Sequence, residues 1–171
     1  QTGIGRTGKL FAYEHFGTAP DIMTLAKALA GGAPIGAMLA REALAGSFTP
    51  GSHGSTFGGN PLMAAAAVAA VHAVLEEGVL ENAVAMGAYL TGRLEGLKER
   101  FPFITEVRGI GLLIGAQLSI PGADIVKKAL ERGLLINVAQ ERVLRFVPPL
   151  IVTREEIDLM IGILEGILTE V

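Results

Sequence analysis

Cysteine is absent from the 171-residue sequence, and histidine is scarce. Without cysteine the chain can form no disulfide, no cysteine-ligated zinc site and no thiol nucleophile. The three histidines, His15, His53 and His72, are separated by spacings that do not suit a set of metal ligands. We therefore expect no metal site and no thiol chemistry.

An excess of basic charge is also lacking, because 14 Lys and Arg residues face 17 Asp and Glu residues, a formal net charge of −3. A nucleic-acid partner is therefore not expected. The longest apolar run, Pro61 to Leu75, is shorter than the roughly 20 residues that span a bilayer. The opening "QTGIGRTG" has no Met and no signal-peptide layout. We expect a cytoplasmic protein that does not interact with membranes, and a chain that is a fragment of a longer one.

Apolar residues are abundant, at 50% of the chain, which predicts a globular α/β protein with a large core. Short apolar runs at 21–26 and 34–40 predict strands, the first of them buried. Helical patterns follow at 61–77, which is small and apolar on nearly every face and is expected to be buried all round, and at 79–100. The second pattern has its apolar residues at helical spacing: Leu80, Val84, Gly87, Leu90, Leu94 and Leu97.

The pattern changes after the second helix. Four short strand-like segments lie between residues 104 and 147, with a helix predicted at 122–133 between the second and third. A capping-box sequence, "TREE", begins a last helix at Thr153. We predict an α/β portion over residues 1–77, and a linking helix with a smaller α+β portion over residues 78–171.

One lysine lies among small and apolar residues, in "PDIMTLAKALAGGAPIG". Lys27 directly follows a predicted strand and is expected to be desolvated, which lowers a lysine's pKa. A neutral amine in that position can attack a carbonyl carbon and form a Schiff base. The alternative is a lysine that extends to the surface from the edge of a sheet. Spacing alone leaves both interpretations open.

The opening "GIGRTG" matches G-x-G-x-x-G letter for letter. A dinucleotide site needs a strand before this motif and an acidic residue about 20 positions after it. No strand precedes it here, and Asp21 comes too early. A glycine-rich loop carrying Arg6 is the favoured interpretation.

Two further segments contain residues that could bind a ligand. "GSHGSTFGGNP" offers backbone N–H groups and the hydroxyls of Ser55 and Thr56 for a loop-built phosphate site, or it is a flexible surface loop. Arg145, in "VLRFVPPL", is either paired within the fold or directed at a ligand carboxylate. Arg108 poses the same question, and there the structural interpretation is favoured.

Taken together, the chain resembles the class III aminotransferases, which are pyridoxal-phosphate enzymes of fold type I. The resemblance covers essentially the whole sequence and lies in the stretches "QTGIGRTGKLFAYEHFGTAPDIMTLAKALAGGAPIGAMLA", "SHGSTFGGNPLMAAAA", "VRGIGLLIG" and "NVAQERVLRFVPPLIVTREEID". It implies that residues 1–77 are the C-terminal part of the large cofactor-binding domain. Residues 78–171 are then the linking helix and the small C-terminal domain.

The resemblance also implies roles for individual residues. Lys27 matches the lysine that binds pyridoxal 5′-phosphate and moves a proton as general acid and base. Gln1 matches a glutamine that contacts the phenolic oxygen of the cofactor, and Arg145 an arginine that holds a substrate carboxylate. Thr56, assisted by Ser55, matches the threonine that reaches the cofactor phosphate of the neighbouring subunit. A homodimer with shared active sites is therefore expected.

The implied activity is transfer of the terminal amino group of N2-acetylornithine to 2-oxoglutarate, a step of arginine biosynthesis. The alternatives are ornithine, 4-aminobutyrate or succinyl-diaminopimelate as amino donor, or a non-catalytic remnant. Members of the family carry an Asp just before the position of Gln1, together with a phosphate-binding loop and a stacking aromatic residue further upstream. Since these lie outside the sequence, we expect the chain to be inactive alone.

Overall fold

The computed structural model describes all residues from Gln1 to Val171, arranged as two compact units. Unit 1 contains Gln1–Leu80 and unit 2 contains Glu81–Val171. Each unit is described by itself below. The assignment of residues 1–77 and 78–171 to two domains of a longer enzyme stays a prediction.

Unit 1 is built from short elements. They are a 3-10 turn at Ala12–His15, strand β1 at Ile22–Leu25, a second 3-10 turn at Lys27–Ala30, strand β2 at Ala37–Ala40, helix α1 at Glu42–Ala45 and helix α2 at Pro61–Glu76. Strands β1 and β2 pair antiparallel, from Ile22 opposite Ala40 to Leu25 opposite Ala37. Both strands were predicted, but the burial expected for the first is wrong, since none of its residues is buried.

Helix α2 begins where the sequence places a proline at the first helical position, behind the capping residue Asn60. The expectation that this helix is buried on all sides is wrong, because none of its residues is buried. It packs against the 3-10 turn at Lys27–Ala30, and Leu62 and Val68 are among its exposed residues. An alanine-rich helix lacks the contrast between two faces that would direct one of them inward.

Unit 2 contains most of helix α3 (Val79–Arg100), strands β3 (Ile104–Ile110) and β4 (Leu113–Leu118), helix α4 (Ala123–Glu131), strands β5 (Asn137–Ala139) and β6 (Val143–Phe146), and helix α5 (Arg154–Leu168). The four strands form one antiparallel sheet in the order β3-β4-β6-β5. The predicted helix at 79–100 and the four predicted strands are confirmed. No single helix of the chain is long and apolar enough to cross a membrane; only α2 and α3 together, as a bent pair, meet that test.

Burial in unit 2 follows the period of each element. Along β4 the residues alternate between half-buried and buried, as expected of a strand with one face against a core. Helix α5 buries one stripe at helical spacing. Its first turn is closed by the predicted capping box, in which Thr153 Oγ1 accepts from the Glu156 N–H and Glu156 Oε2 accepts from the Thr153 N–H at 2.8 Å. The sheet, α3, α4 and α5 therefore enclose one hydrophobic core.

Candidate active site

Lys27 lies at the first position of the 3-10 turn that directly follows β1. Its backbone has a positive φ of 53°, in the left-handed region that lysine rarely adopts. The turn ends at Gly31, which is also left-handed, with φ 62°. A non-glycine residue in this region costs about 1–3 kcal/mol and persists only where its surroundings hold it, most often at functional sites.

The Lys27 amine is held by the first residue of the chain. Lys27 Nζ donates a hydrogen bond to Gln1 Oε1 at 2.8 Å. No carboxylate lies within ion-pairing distance of this amine. By contrast, Lys98 and Lys128 each pair with a glutamate. The amine of Lys27 is therefore positioned by a neutral amide and not neutralised by an acid.

The expected desolvation of Lys27 is wrong for this chain, because the residue is exposed. The physical reason is the small size of its neighbours. Alanine and glycine dominate the segment from Ala26 to Ala33, and such residues cannot cover a lysine stem. A Cβ added at Gly32 would meet no atom within 4 Å, so the space beside the turn is open.

Gln1 leads into the glycine-rich loop that matches G-x-G-x-x-G. Residues 3–8 form turns, with the Gly8 N–H donating to the Gly5 carbonyl at 2.9 Å. Ile4 has φ 52°, which is unusual for a β-branched residue. Thr7 is buried and its hydroxyl lies 3.0 Å from Nε2 of His15. The loop leads to a short 3-10 turn and not to a helix that could bind a pyrophosphate, which agrees with the favoured interpretation.

Ser55 and Thr56 lie in an exposed loop before α2, and their hydroxyls make no hydrogen bond within the chain. A Cβ added at Gly58 would lie 2.9 Å from the Cβ of Ser55, so the loop needs glycine there. Asn60 Oδ1 accepts from the N–H groups of Leu62 at 3.0 Å and Met63 at 3.3 Å. Because these first-turn donors are occupied, an anion bound by Thr56 would be held by the loop itself.

Arg145 belongs to unit 2, in β6, where it is half-buried between the buried residues Leu144 and Phe146. Its side chain has no hydrogen bond or ion pair within the chain and lines a cavity of 490 Å³ whose walls are mostly apolar. Arg108 differs, since it pairs with Glu106 at 2.6 Å and donates to Gln117 at 3.3 Å. The structural interpretation of Arg108 is confirmed, and the unpaired guanidinium of Arg145 is suited to a carboxylate ligand.

The structure thus brings Gln1 and Lys27 together, whereas Ser55 and Thr56 form no hydrogen bond with either. Sequence reasoning missed Asn137, which lines the same cavity as Arg145. An asparagine in a strand-like segment carries no signal by itself. Only the strand register could have placed it opposite Arg145.

Comparison with known proteins identifies the family of the chain. Residues 1–168 match the family described as "Aminotransferase class-III". The chain belongs to this family. It is 53% identical over 171 residues to acetylornithine aminotransferase of Methanocaldococcus jannaschii, covering all of this chain and 43% of that protein. It is 55% identical over 172 residues to the enzyme of that name from Caldanaerobacter subterraneus, again covering all of this chain and 44% of that protein.

Solved structures of aminotransferases share the fold. Acetylornithine aminotransferase from Elizabethkingia anophelis superposes with a TM-score of 0.93 at 39% identity, covering all of this chain and 46% of that one. Plasmodium falciparum ornithine δ-aminotransferase gives 0.93 at 38% identity, covering 99% of this chain and 45% of that one. The predicted fold class and family are confirmed. The chain spans less than half the length of the relatives and solved structures that it matches.

Proposed function

We propose that the chain is the part of a pyridoxal-phosphate-dependent aminotransferase that carries its catalytic lysine. The observation that supports this most is Lys27, whose amine is held 2.8 Å from Gln1 Oε1 on a backbone with φ 53°, in a chain of the class III family. In this proposal residues 1–77 belong to the large cofactor-binding domain. Residues 78–171 form the linking helix and the small domain.

The residues present fit pyridoxal 5′-phosphate on the chemistry of their donors. An amine without an acidic partner can condense with the aldehyde, and the open space at Gly32 leaves room for a planar ring. Gln1 orients the amine, and the free hydroxyls of Ser55 and Thr56 can bind a phosphate. When bound, the cofactor withdraws electrons from the substrate carbon and carries the amino group between the two substrates.

The chain's own residues then divide the work. Lys27 anchors the cofactor and moves a proton at the substrate carbon as general acid and base. Arg145 holds a substrate carboxylate with two parallel N–H groups. Thr56 contacts the cofactor phosphate of a second subunit, so the protein acts as a homodimer. The exposed apolar residues of α2 are consistent with a covered surface in that assembly.

The proposed reaction moves the terminal amino group of N2-acetylornithine to 2-oxoglutarate. Two curated relatives that are 53% and 55% identical to the chain are acetylornithine aminotransferases. The names of these curated relatives favour the acetylated donor over ornithine.

Borohydride trapping tests the role of Lys27. The chain is mixed with pyridoxal phosphate, reduced and digested, and the adduct on each lysine is read by mass. We expect one dominant adduct on Lys27, which Lys27→Ala abolishes while the other lysines keep their labelling. Lys9→Ala is the matched control, since the Lys9 amine is likewise exposed but donates to the Glu14 carbonyl. Equal labelling of Lys27, Lys9 and Lys127 would contradict the assignment.

A further inference from the structure

One row of residues crosses the sheet of unit 2 on the face away from the core. Arg108 in β3 is opposite Gly115 in β4, Gly115 is opposite Arg145 in β6, and Arg145 is opposite Asn137 in β5. The flanking residues of β6, Leu144 and Phe146, are buried in the core. Since side chains alternate between the faces of a strand, the row is presented on the opposite face.

The two ends of this row differ in their partners. Arg108 is satisfied within the chain by Glu106 and Gln117. Arg145 and Asn137 have no side-chain partner, and both border the 490 Å³ cavity, whose other walls include the core residues Phe146 and Ile157. Gly115, beside Arg145, contributes no side chain, and a Cβ there would lie 2.9 Å from Val143 Cγ1. The row is therefore open on the side of Arg145 and Asn137.

The cavity is lined by one positive and one negative side chain. Arg145 and Glu156 are its only ionisable lining residues. The Glu156 carboxylate accepts the Thr153 N–H of the capping box at 2.8 Å, whereas the guanidinium of Arg145 is unpaired. Apolar residues of the β6–α5 segment form much of the remaining wall. Such a cavity suits a carboxylate attached to a short aliphatic chain.

We propose that Asn137 is a specificity-determining residue of the Arg145 site, whose side-chain amide donates a hydrogen bond to the carboxylate that Arg145 binds. The inference rests on the proposed function, in which Arg145 holds a substrate carboxylate. Directly opposed residues of an antiparallel pair have Cβ atoms about 4.5–5.5 Å apart, so both side chains reach one ligand group. A bidentate arginine leaves carboxylate lone pairs free, and a neutral amide can take one without adding charge.

Titration of glutarate into the full chain, followed by ¹⁵N NMR shifts of the Arg145 and Asn137 side chains, tests this role. We expect Asn137→Ala to weaken binding about tenfold, since hydrogen bonds to charged groups are the stronger ones. Asn137→Asp should weaken it further, because its carboxylate repels the ligand. Asn137→Gln, which keeps the amide, should recover part of the affinity. Arg108→Ala, in the same row but internally paired, should leave the affinity unchanged.

The outcomes separate this inference from the proposed function. If Arg145→Ala abolishes glutarate binding but Asn137→Ala does not change it, the inference is wrong and the role of Arg145 stands. If neither variant changes binding, the role of Arg145 in the proposed function is wrong as well. If Asn137→Asp binds as tightly as the unchanged chain, no amide donor contacts the carboxylate. The amide spectra of each variant show whether the sheet is intact.

Discussion

The two units reach their structures by different means. Unit 2 closes a core in which Leu94, Ile161 and Leu164 are each 1% exposed. Unit 1 buries only four apolar residues, Ile4, Leu29, Ala30 and Val79. Its elements are defined by local hydrogen bonds, while many large apolar side chains are exposed: Phe16, Ile22, Met38, Leu39, Phe48, Phe57, Leu62, Val68 and Leu75.

This difference bears on the two candidate sites. Arg145 lies on a sheet whose other face is fixed by the core, so its position is supported by packing. Lys27 lies in a unit with little buried area, so its left-handed backbone depends on the turn, on β1 and on the bond to Gln1. We infer that unit 1 gains its full rigidity only with a further surface to cover its apolar residues.

The two units should differ most in their response to the truncation of one leucine in each. Leu94→Ala removes a side chain that is 1% exposed and should lower the free energy of unfolding of unit 2 by about 2–5 kcal/mol. Leu62→Ala, at a residue that is 71% exposed, should change stability by no more than about 0.5 kcal/mol. Urea denaturation followed by circular dichroism measures both. Equal losses would show that Leu62 is covered in solution and that unit 1 has a packed surface of its own.

A second, smaller effect tests how densely unit 2 is packed, using two glycines of α3. A Cβ added at Gly87 would collide with the Gly111 carbonyl, so Gly87→Ala should destabilise unit 2 by about 1–3 kcal/mol. Gly92 has open space around its Cβ position, so Gly92→Ala should stabilise the helix by up to about 1 kcal/mol. The same denaturation measurement should therefore give opposite signs. A gain in both variants would show that the turn at Gly111 yields easily.

The fold of unit 2 could be predicted closely because its elements have strong periods and clear ends. The predicted helix 79–100 has the bounds observed, and the Thr153 capping box marks the start of α5. One position of the predicted α3 stripe is wrong, since Val84 is 55% exposed and Ala83 is buried instead. Helical spacing identifies the apolar face of α3, but it does not show which residues at the edge of that face are covered by the rest of unit 2.

Unit 1 and its site could be predicted only in part. The hydrophobic pattern of α2 does not show whether another element of the chain covers it. The pattern therefore predicts a buried helix where the structure has an exposed one. The bond between Gln1 and Lys27 joins residues 26 positions apart, and only the family resemblance indicated that both lie at one site. Asn137 is brought to Arg145 by the register of β5 on β6, which residue spacing does not encode.

The smallest expected effect is the pH-dependent stability contributed by an ion pair on the surface of unit 2, between Glu170 and Arg132. A hydrogen bond from the Arg132 guanidinium lowers the pKa of Glu170, and Lys128 adds to the effect. A depressed folded-state pKa contributes stability that is present above the unfolded-state value near 4.5 and is lost as the pH falls through the folded-state value.

Glu170→Gln should therefore lower the Tm slightly at pH 7. In acid the Tm of the variant should equal that of the unchanged chain, because Glu170 is then protonated in the folded state as well. High salt should shrink the difference in Tm too, because the pair is solvent-exposed. Glu131→Gln is the matched control, since this exposed glutamate of α4 has no partner. If both variants melt alike at every pH, the contact between Glu170 and Arg132 contributes nothing to the stability of unit 2.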